Sequence, residues 1–347
     1  MQETLKSDLN ESLFYLLNFF EPLKNKTVTI TGLGFMGSWL VRALTWLNDN
    51  HEFKIKIYVI TKHIEKANII VDKRNYIKII SADIRSINYL PEDTNFIIHT
   101  VGNPDNRAHM TDTINTIDTI VSGTKILLDN ATRLENIEAI VHISSGQVYY
   151  KKESSLLNNE NNFYQNLIFN VNNIYPEAKR YSETLCFAYM STNKLPIIIV
   201  RPFSFIGPFQ DLNKPWAVNS LLNEALNNQP MRIIGNGKPK RSYLYASDMA
   251  AWILVILANG KKGEVYNLGS SQGVSLLEIT NKINTLIDKN VKVIVNYYNN
   301  DESEFIPDVV KLKERFGLKE VFNFERALER TISWNIKKLS NKDKNEN

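Results

Sequence analysis

Only one cysteine, Cys186, occurs in 347 residues, which excludes an intramolecular disulfide, a cysteine-rich zinc site and a Cys-x-x-Cys redox pair. The chain also lacks a dominant charge. Its 41 Lys and Arg face 37 Asp and Glu for a net charge of +4, too small and too evenly spread to mark a nucleic-acid footprint. An anionic small molecule remains compatible with that balance. No apolar run approaches about 18 residues, and residues 1–8 are polar where a secretory signal needs an apolar stretch. These absences predict a cytoplasmic protein in a reducing compartment, with no membrane and no nucleic-acid partner. Apolar residues, by contrast, are plentiful: 43% hydrophobic against 22% charged is the balance of a folded globular chain. At roughly 150 residues per domain, the length suits two modest domains or one large domain with a lobe.

The hydrophobic pattern predicts an α/β chain. Leu13, Leu16, Leu17, Phe20 and Leu23 fall near helical spacing and predict an N-terminal helix within residues 1–24. Short β-branched runs predict strands at 27–31, 55–60, 77–80, 96–99, 139–143 and 196–200, most of them separated by helix-length segments. Continuous apolar strands alternating with helices imply a doubly wound parallel sheet of Rossmann type, covered on both faces. This dinucleotide-binding domain is assigned to residues 25–205, with 242–262 returning to it. A smaller α/β substrate lobe is assigned to 206–241 and 263–336. The asparagine-rich stretch 151–173 reads as a loop or lid, and the charged tail 337–347 as disordered.

Gly32-Leu33-Gly34-Phe35-Met36-Gly37 follows the first predicted strand and opens a predicted helix. In that context the first glycine permits a tight turn, the second lets backbone approach a pyrophosphate, and the third allows close helix packing, with phosphates at the positive helix end. The second strand ends in Thr61-Lys62-His63, without the carboxylate expected for a ribose in an NAD site, and Lys62 is instead suited to the 2′-phosphate of NADP. Asp83, after the third strand, is positioned for the adenine amino group, with Ile84 beside it. NAD or NADP is the expected cofactor, and Phe35, Met36, Thr100 and Pro202 are further expected contacts.

Ser144-Ser145-Gly146-Gln147-Val148-Tyr149 closes the fifth strand, and Tyr175-Pro176-Glu177-Ala178-Lys179 opens a helix. The i, i+4 spacing puts Tyr175 and Lys179 on one helical face, where an ammonium can lower a phenol pKa from about 10 towards working pH. Pro176 predicts that Tyr175 sits at the N-cap, where the positive helix end further favours phenolate. Such a tyrosine is a general acid/base for a sugar hydroxyl, which Ser145 would hold by a hydrogen bond. Cys186 reads as buried packing, and the five histidines show no metal-ligand spacing. No metal site is expected.

On these residues the chain resembles the extended short-chain dehydrogenase/reductases, in particular the nucleotide-sugar epimerase/dehydratase group, from about Lys26 to Trp334. Further matching stretches are 122–128, 201–208, 241–248 and 263–270. The resemblance implies Ser145, Tyr175 and Lys179 as catalytic residues, with Lys179 also touching the nicotinamide ribose. It implies substrate binding by Gln147, Ser204 and Arg241, the guanidinium gripping a nucleoside diphosphate. It further implies a homodimer through the helices 119–131 and 178–190.

The sequence departs from that family pattern in a glycine loop one residue short, in Ser204 for a common asparagine, in Tyr150 for a common glycine, and in Gly146-Gln147 for the acidic pair of the sugar dehydratases. The expected reaction is NAD(P)-dependent epimerisation of a nucleoside-diphosphate sugar through a keto-sugar. A keto-sugar reductase or 4,6-dehydratase is the alternative within the family, and a dinucleotide-sensing scaffold the non-enzyme alternative. Neither Gly146 nor Gln147 can titrate, which disfavours dehydration and also a glucuronate-type decarboxylase. Only a carboxylate from the asparagine-rich loop, Glu153 or Glu160, would supply what is missing.

Overall fold

The computed structural model describes residues 2–149, 158–160, 170–297 and 302–345. Most of the asparagine-rich stretch, with Tyr150 and Glu153, lies outside them.

Six apolar runs form the strands β1 (Thr27–Thr31), β2 (Lys56–Thr61), β3 (Ile77–Ser81), β4 (Phe96–His99), β5 (Ala139–Ile143) and β6 (Ile197–Pro202). With Val265–Leu268 they make one seven-stranded sheet in the order Val265–Leu268, β6, β5, β4, β1, β2, β3. Every pairing in it is parallel. Burial on both faces explains why the inner strands read as apolar or β-branched runs, whereas the edge strand β3 is only partly buried. Val265–Leu268 corrects the sequence reading, which placed everything from Gly263 in the lobe. Its apolar run is broken by Asn267, and its place at the edge is fixed by pairing with β6.

The strand order reverses between β1 and β4. All seven C-terminal ends lie along one edge, and the crevice of a doubly wound sheet opens outside them at this switch point. Phe35–His51, Thr113–Ala131 and Ile174–Asn193 are among the covering helices. The helix Ala246–Asn259, buried at every position from 246 to 257, joins the core of the same sheet. A second core gathers Leu221, Leu222, Met231, Ile233, Ile279 and Phe322 around the helices Ala217–Leu226 and Leu276–Ile287. The strand Lys240–Tyr245 pairs with Ser204–Ile206, Gly273–Ser275 and Glu304–Phe305.

Both chain ends differ from expectation. The N-terminal helix is Gln2–Leu13, and residues 14–23 continue as short helical segments, Phe14–Leu16, Leu17–Phe20 and Glu21–Leu23. Leu5, Leu9, Leu13, Leu16, Phe20 and Leu23 are all buried in the main core, so tertiary packing, not propensity, holds the segment. Its polar side is clamped too: Ser12 donates to Asp248 at 2.7 Å, and Tyr245 donates to Asp8 at 2.6 Å. Asp248 also accepts from the backbone of Val321 and Phe322, each at 3.0 Å. The tail from Lys337, read as disordered, continues the helix Phe324–Asn345.

Leu13 is fully buried, so Leu13→Ala should cost about 2–5 kcal/mol. The expected readout is a lower urea midpoint with the slope unchanged.

Candidate functional site

The glycine loop leaves β1 at the switch point. Gly32 has φ +90°, and a Cβ there would lie 2.8 Å from the Thr100 hydroxyl. That hydroxyl donates to the carbonyls of Thr31 (2.8 Å) and Gly32 (3.0 Å), tying the loop to the end of β4. A Cβ on Gly37 would stand 2.2 Å from the Gly32 carbonyl oxygen, so the helix rests directly on the loop. Gly34 is different: a Cβ there would meet nothing within 4 Å. It caps the helix Phe35–His51 without a side-chain bond, leaving the first N–H groups and the positive helix end beside an open, exposed face. Phe35 and Met36 flank this face and are half-buried. An unsubstituted backbone at a helix N-terminus fits a dinucleotide pyrophosphate.

At the next strand ends, Lys62 is exposed. Asp83 accepts from Arg85 through both backbone and guanidinium, and the Arg85 hydrogen bonds hold its carboxyl down at about 2. Ile84 is buried and packs on Gly123. Pro202 ends β6.

Ser145, Tyr175 and Lys179 come together beneath this edge, all buried. Ser145 caps the turn Gly146–Val148, its hydroxyl accepting from Gln147 N–H at 3.1 Å, and it is near enough to the Tyr175 phenol to pull its pKa down. Lys179 donates to the carbonyls of Ile143 (2.9 Å) and Val101 (3.3 Å), at the ends of β5 and β4. Its Nζ stands 5.9 Å from the Tyr175 ring centroid.

Two expectations need correction. Tyr175 is not the N-cap: Asn173 is, after a turn Val171–Asn173, and Tyr175 is the second residue of the helix Ile174–Asn193. Pro176 is tolerated at the third position because the first four N–H groups have no intrahelical acceptor. The phenol is also not lowered towards neutrality. Burial pushes it up to about 12, against a smaller downward pull from Ser145, and burial pulls the Lys179 ammonium down to about 8. Desolvation is the dominant influence on both groups.

Sequence reasoning missed several supports. Gly102 is one, since a Cβ on it would lie 2.9 Å from Lys179 Nζ; the ammonium reaches Val101 only past a bare backbone. His109 is another, stacked on Tyr175 with centroids 4.3 Å apart and an interplanar angle of 7°. Arg201 is a third. It forks onto Glu183 (2.9 and 2.7 Å) and donates to Tyr149 at 2.8 Å, and Tyr149 donates to Asn267 at 2.8 Å. Spacing gives no signal for these, because their partners Lys179, Tyr175 and Glu183 lie far off in sequence on the helix Ile174–Asn193. Glu160 is occupied structurally, its carboxylate accepting from Asn267 N–H at 3.0 Å.

Gln147 is exposed on the turn after β5. Gly146 is enclosed: a Cβ there would lie 2.9 Å from Phe203 and 3.0 Å from Phe305. Arg241 lies 5.6 Å over the same Phe305 ring, and Ser204 pairs with Tyr243 on the strand that holds Arg241. His99 and His142 are buried and kept neutral by desolvation, bonded to Thr31 and Ser182. Cys186 is buried, and burial pushes its thiol up. Among the described residues no group of three or more His, Cys, Asp or Glu side chains is placed to hold a metal ion, and no helix is long and apolar enough to cross a membrane.

The model of the NAD dependent epimerase/dehydratase family matches residues 28–269. The chain belongs to this family. A relative in it is UDP-glucuronic acid decarboxylase 1 of Xenopus tropicalis, 26% identical over 332 residues, 95% of this chain and 77% of that protein. The trifunctional UDP-glucose 4,6-dehydratase/UDP-4-keto-6-deoxy-D-glucose 3,5-epimerase/UDP-4-keto-L-rhamnose-reductase of Arabidopsis thaliana is 28% identical over 326 residues, 90% of this chain but 47% of that protein. The fold is that of the UDP-glucuronic acid 4-epimerase from Bacillus cereus, solved with UDP-glucuronic acid and NAD (TM-score 0.77, 22% identity, 90% of this chain and 99% of that one). Family membership makes this chain an enzyme of the epimerase/dehydratase group; its relatives differ in the reaction they perform.

The two glycines separate by their surroundings. Gly37→Ala, forced against a backbone carbonyl, should cost about 1–3 kcal/mol or more. Gly34→Ala should cost at most about 1 kcal/mol, the worth of a glycine over alanine at an N-cap. Paired thermal melts read the difference.

Proposed function

We propose that the protein is an NAD(P)-dependent epimerase of a nucleoside-diphosphate sugar, working through a transient keto-sugar. The observation that carries this reading is the buried cluster of Ser145, Tyr175 and Lys179 at the strand ends, beside a glycine loop with an open face at Gly34. The dinucleotide, when bound, supplies the hydride acceptor and donor and a positive ring charge. Tyr175 is the proton carrier. With its phenol pushed up to about 12, it rests protonated, ready to give its proton to a keto oxygen. It accepts a proton from a sugar hydroxyl only when positive charge nearby stabilises phenolate. Lys179 contributes such charge, and Ser145 holds the sugar oxygen in the line of transfer.

Retention of the ring, without loss of water, is supported by the turn after β5. Gly146 has no space for an acidic side chain between Phe203 and Phe305, Gln147 cannot titrate, and Glu160 is bonded to Asn267. The same residues distinguish this reading from the decarboxylase and dehydratase named among the relatives. A keto-sugar reductase shares every residue of the proposal and differs only in releasing the dinucleotide after one transfer. In this reading Arg241 and Ser204 meet the diphosphate from the lobe. We further propose a homodimer through the helices Thr113–Ala131 and Ile174–Asn193, whose outer faces expose Ile114, Ile117, Tyr181 and Phe187, and a cytoplasmic setting.

The deciding experiment incubates UDP-, GDP-, CDP- and dTDP-hexoses with enzyme and dinucleotide, followed by mass spectrometry and sugar analysis. An isomer of unchanged mass is expected, and Tyr175→Phe should slow its formation by about 100-fold or more while sparing dinucleotide binding. A product lighter by one water at enzymatic rates would reverse the assignment.

NAD is the form named for the family and bound in the Bacillus cereus structure, whereas Lys62 at the end of β2 suits a 2′-phosphate. If Lys62 reads that phosphate, Lys62→Ala should weaken NADP binding and leave NAD binding unchanged by calorimetry. Equal loss for both, or none, removes Lys62 from the site.

A further inference from the structure

The segment between β4 and the helix Thr113–Ala131 places an imidazole flat on the Tyr175 phenol ring. The two rings are nearly parallel, 7° apart, with centroids at 4.3 Å, and both residues are buried. Such a contact forms only when each ring is held, and the structure shows what holds His109. Its Nε2–H donates to the Asn103 carbonyl, which leaves Nδ1 as the unprotonated nitrogen of a neutral ring. Burial favours that neutral form.

The turn beneath it is pinned by Asp105. That carboxylate, itself buried, accepts from the backbone and guanidinium of Arg107 and from Lys214 Nζ at 3.0 Å. Arg107 reaches the Asn213 carbonyl at 3.2 Å. The His109 segment is therefore tied to the loop that follows Ser204–Ile206, on the lobe side of the cleft.

We infer that His109 is a positioning residue for Tyr175: its ring closes one face of the phenol, fixes the plane in which the hydroxyl points to Ser145, and keeps water from that face. Tyr175 has two rotatable side-chain torsions, and its hydroxyl is useful only in one direction. Ser145 lies at the hydroxyl end and Lys179 Nζ stands 5.9 Å from the ring centroid. Neither prevents rotation about the ring axis. A stacked ring does, and it needs flatness rather than a titrating nitrogen. The inference rests on the acid/base reading of Tyr175 for its kinetic consequence, and on the stack alone for its spectroscopic one.

The test uses full-length protein labelled at the tyrosine ring carbons, with the Tyr175 signal assigned by its loss in Tyr175→Phe. A ring stacked overhead shields the ring below, so the Tyr175 signal should lie upfield in the wild type. It should keep that shift in His109→Phe and lose it in His109→Ala and His109→Leu. Leucine fills the space without a flat face, so it reports on the stack even if alanine destabilises the fold. With a hexose from the panel that reacts, kcat should fall about tenfold in the alanine and leucine variants, with KM within about twofold, because misalignment costs the transition state more than binding. His109→Phe should restore kcat to within about twofold of wild type. A Tyr175 signal indifferent to His109→Ala, or a phenylalanine variant as slow as alanine, would overturn the inference. If no hexose reacts, the functional reading falls, and the labelled spectra decide the stack by themselves.

Discussion

The arrangement depends on where one ammonium can be buried. Lys179 lies inside the protein with its charge against the carbonyls of Val101 and Ile143, and this contact fastens the helix Ile174–Asn193 to the ends of two adjacent strands. An unpaired buried charge is expensive, and even with both carbonyls in place the ammonium is pulled down to about 8 by desolvation. Hydrogen bonds to neutral dipoles thus compensate only part of the burial. Everything that lets Lys179 reach these carbonyls acquires a purpose, including a glycine at 102 that leaves room for Nζ. Tyr175, one helical turn before Lys179, is placed by the same contact.

A parallel sheet makes such a contact possible. Because all seven strands run the same way, their final carbonyls and the loops beyond them share one edge, and the reversal between β1 and β4 opens a crevice there. The glycine loop, Thr100, the Lys179 carbonyls and Ser145 are consecutive along that edge without being near in sequence. Under them runs a buried polar layer: His99 and His142 bonded to threonine and serine hydroxyls, then Glu183 with Arg201, Tyr149 and Asn267. The Arg201–Glu183 pair is hydrogen-bonded at both forks, the condition under which a buried ion pair is tolerable. It joins Ile174–Asn193 to β6, so that helix is held to β4, β5 and β6 together.

What the sequence made legible follows from the range of the interactions. β1 to β6 were readable because each is a local run rich in branched apolar residues, whether buried on both faces or, like β3, only in part. The glycine loop and the Tyr175/Lys179 spacing were readable because turn chemistry and helical period are local as well. Val265–Leu268 was not, since its assignment to the central sheet depends on β6, more than sixty residues earlier. Pro176 misled for a related reason: the preference it imposes on its predecessor is weak, and a preceding turn at Val171–Asn173 carried the helix back past Tyr175. His109 carried no signal at all, because nothing in its neighbourhood announces a ring that meets it across the fold.

The phenol is where local reasoning failed most usefully. A lysine four residues away suggests a lowered pKa, and the spacing is as expected, yet the phenol is pushed up to about 12. Two groups that are both buried do not simply help each other: removing water raises the cost of phenolate and of ammonium alike. A tyrosine in this setting is a poor base while it stands alone. It becomes a good one when further positive charge enters the same dry space, since attraction there is screened far less than at the surface. In the proposed reaction, an oxidised nicotinamide, when bound, would supply such charge beside Tyr175. Burial, which looks like an obstacle to ionisation, would then couple proton transfer to the presence of the hydride acceptor.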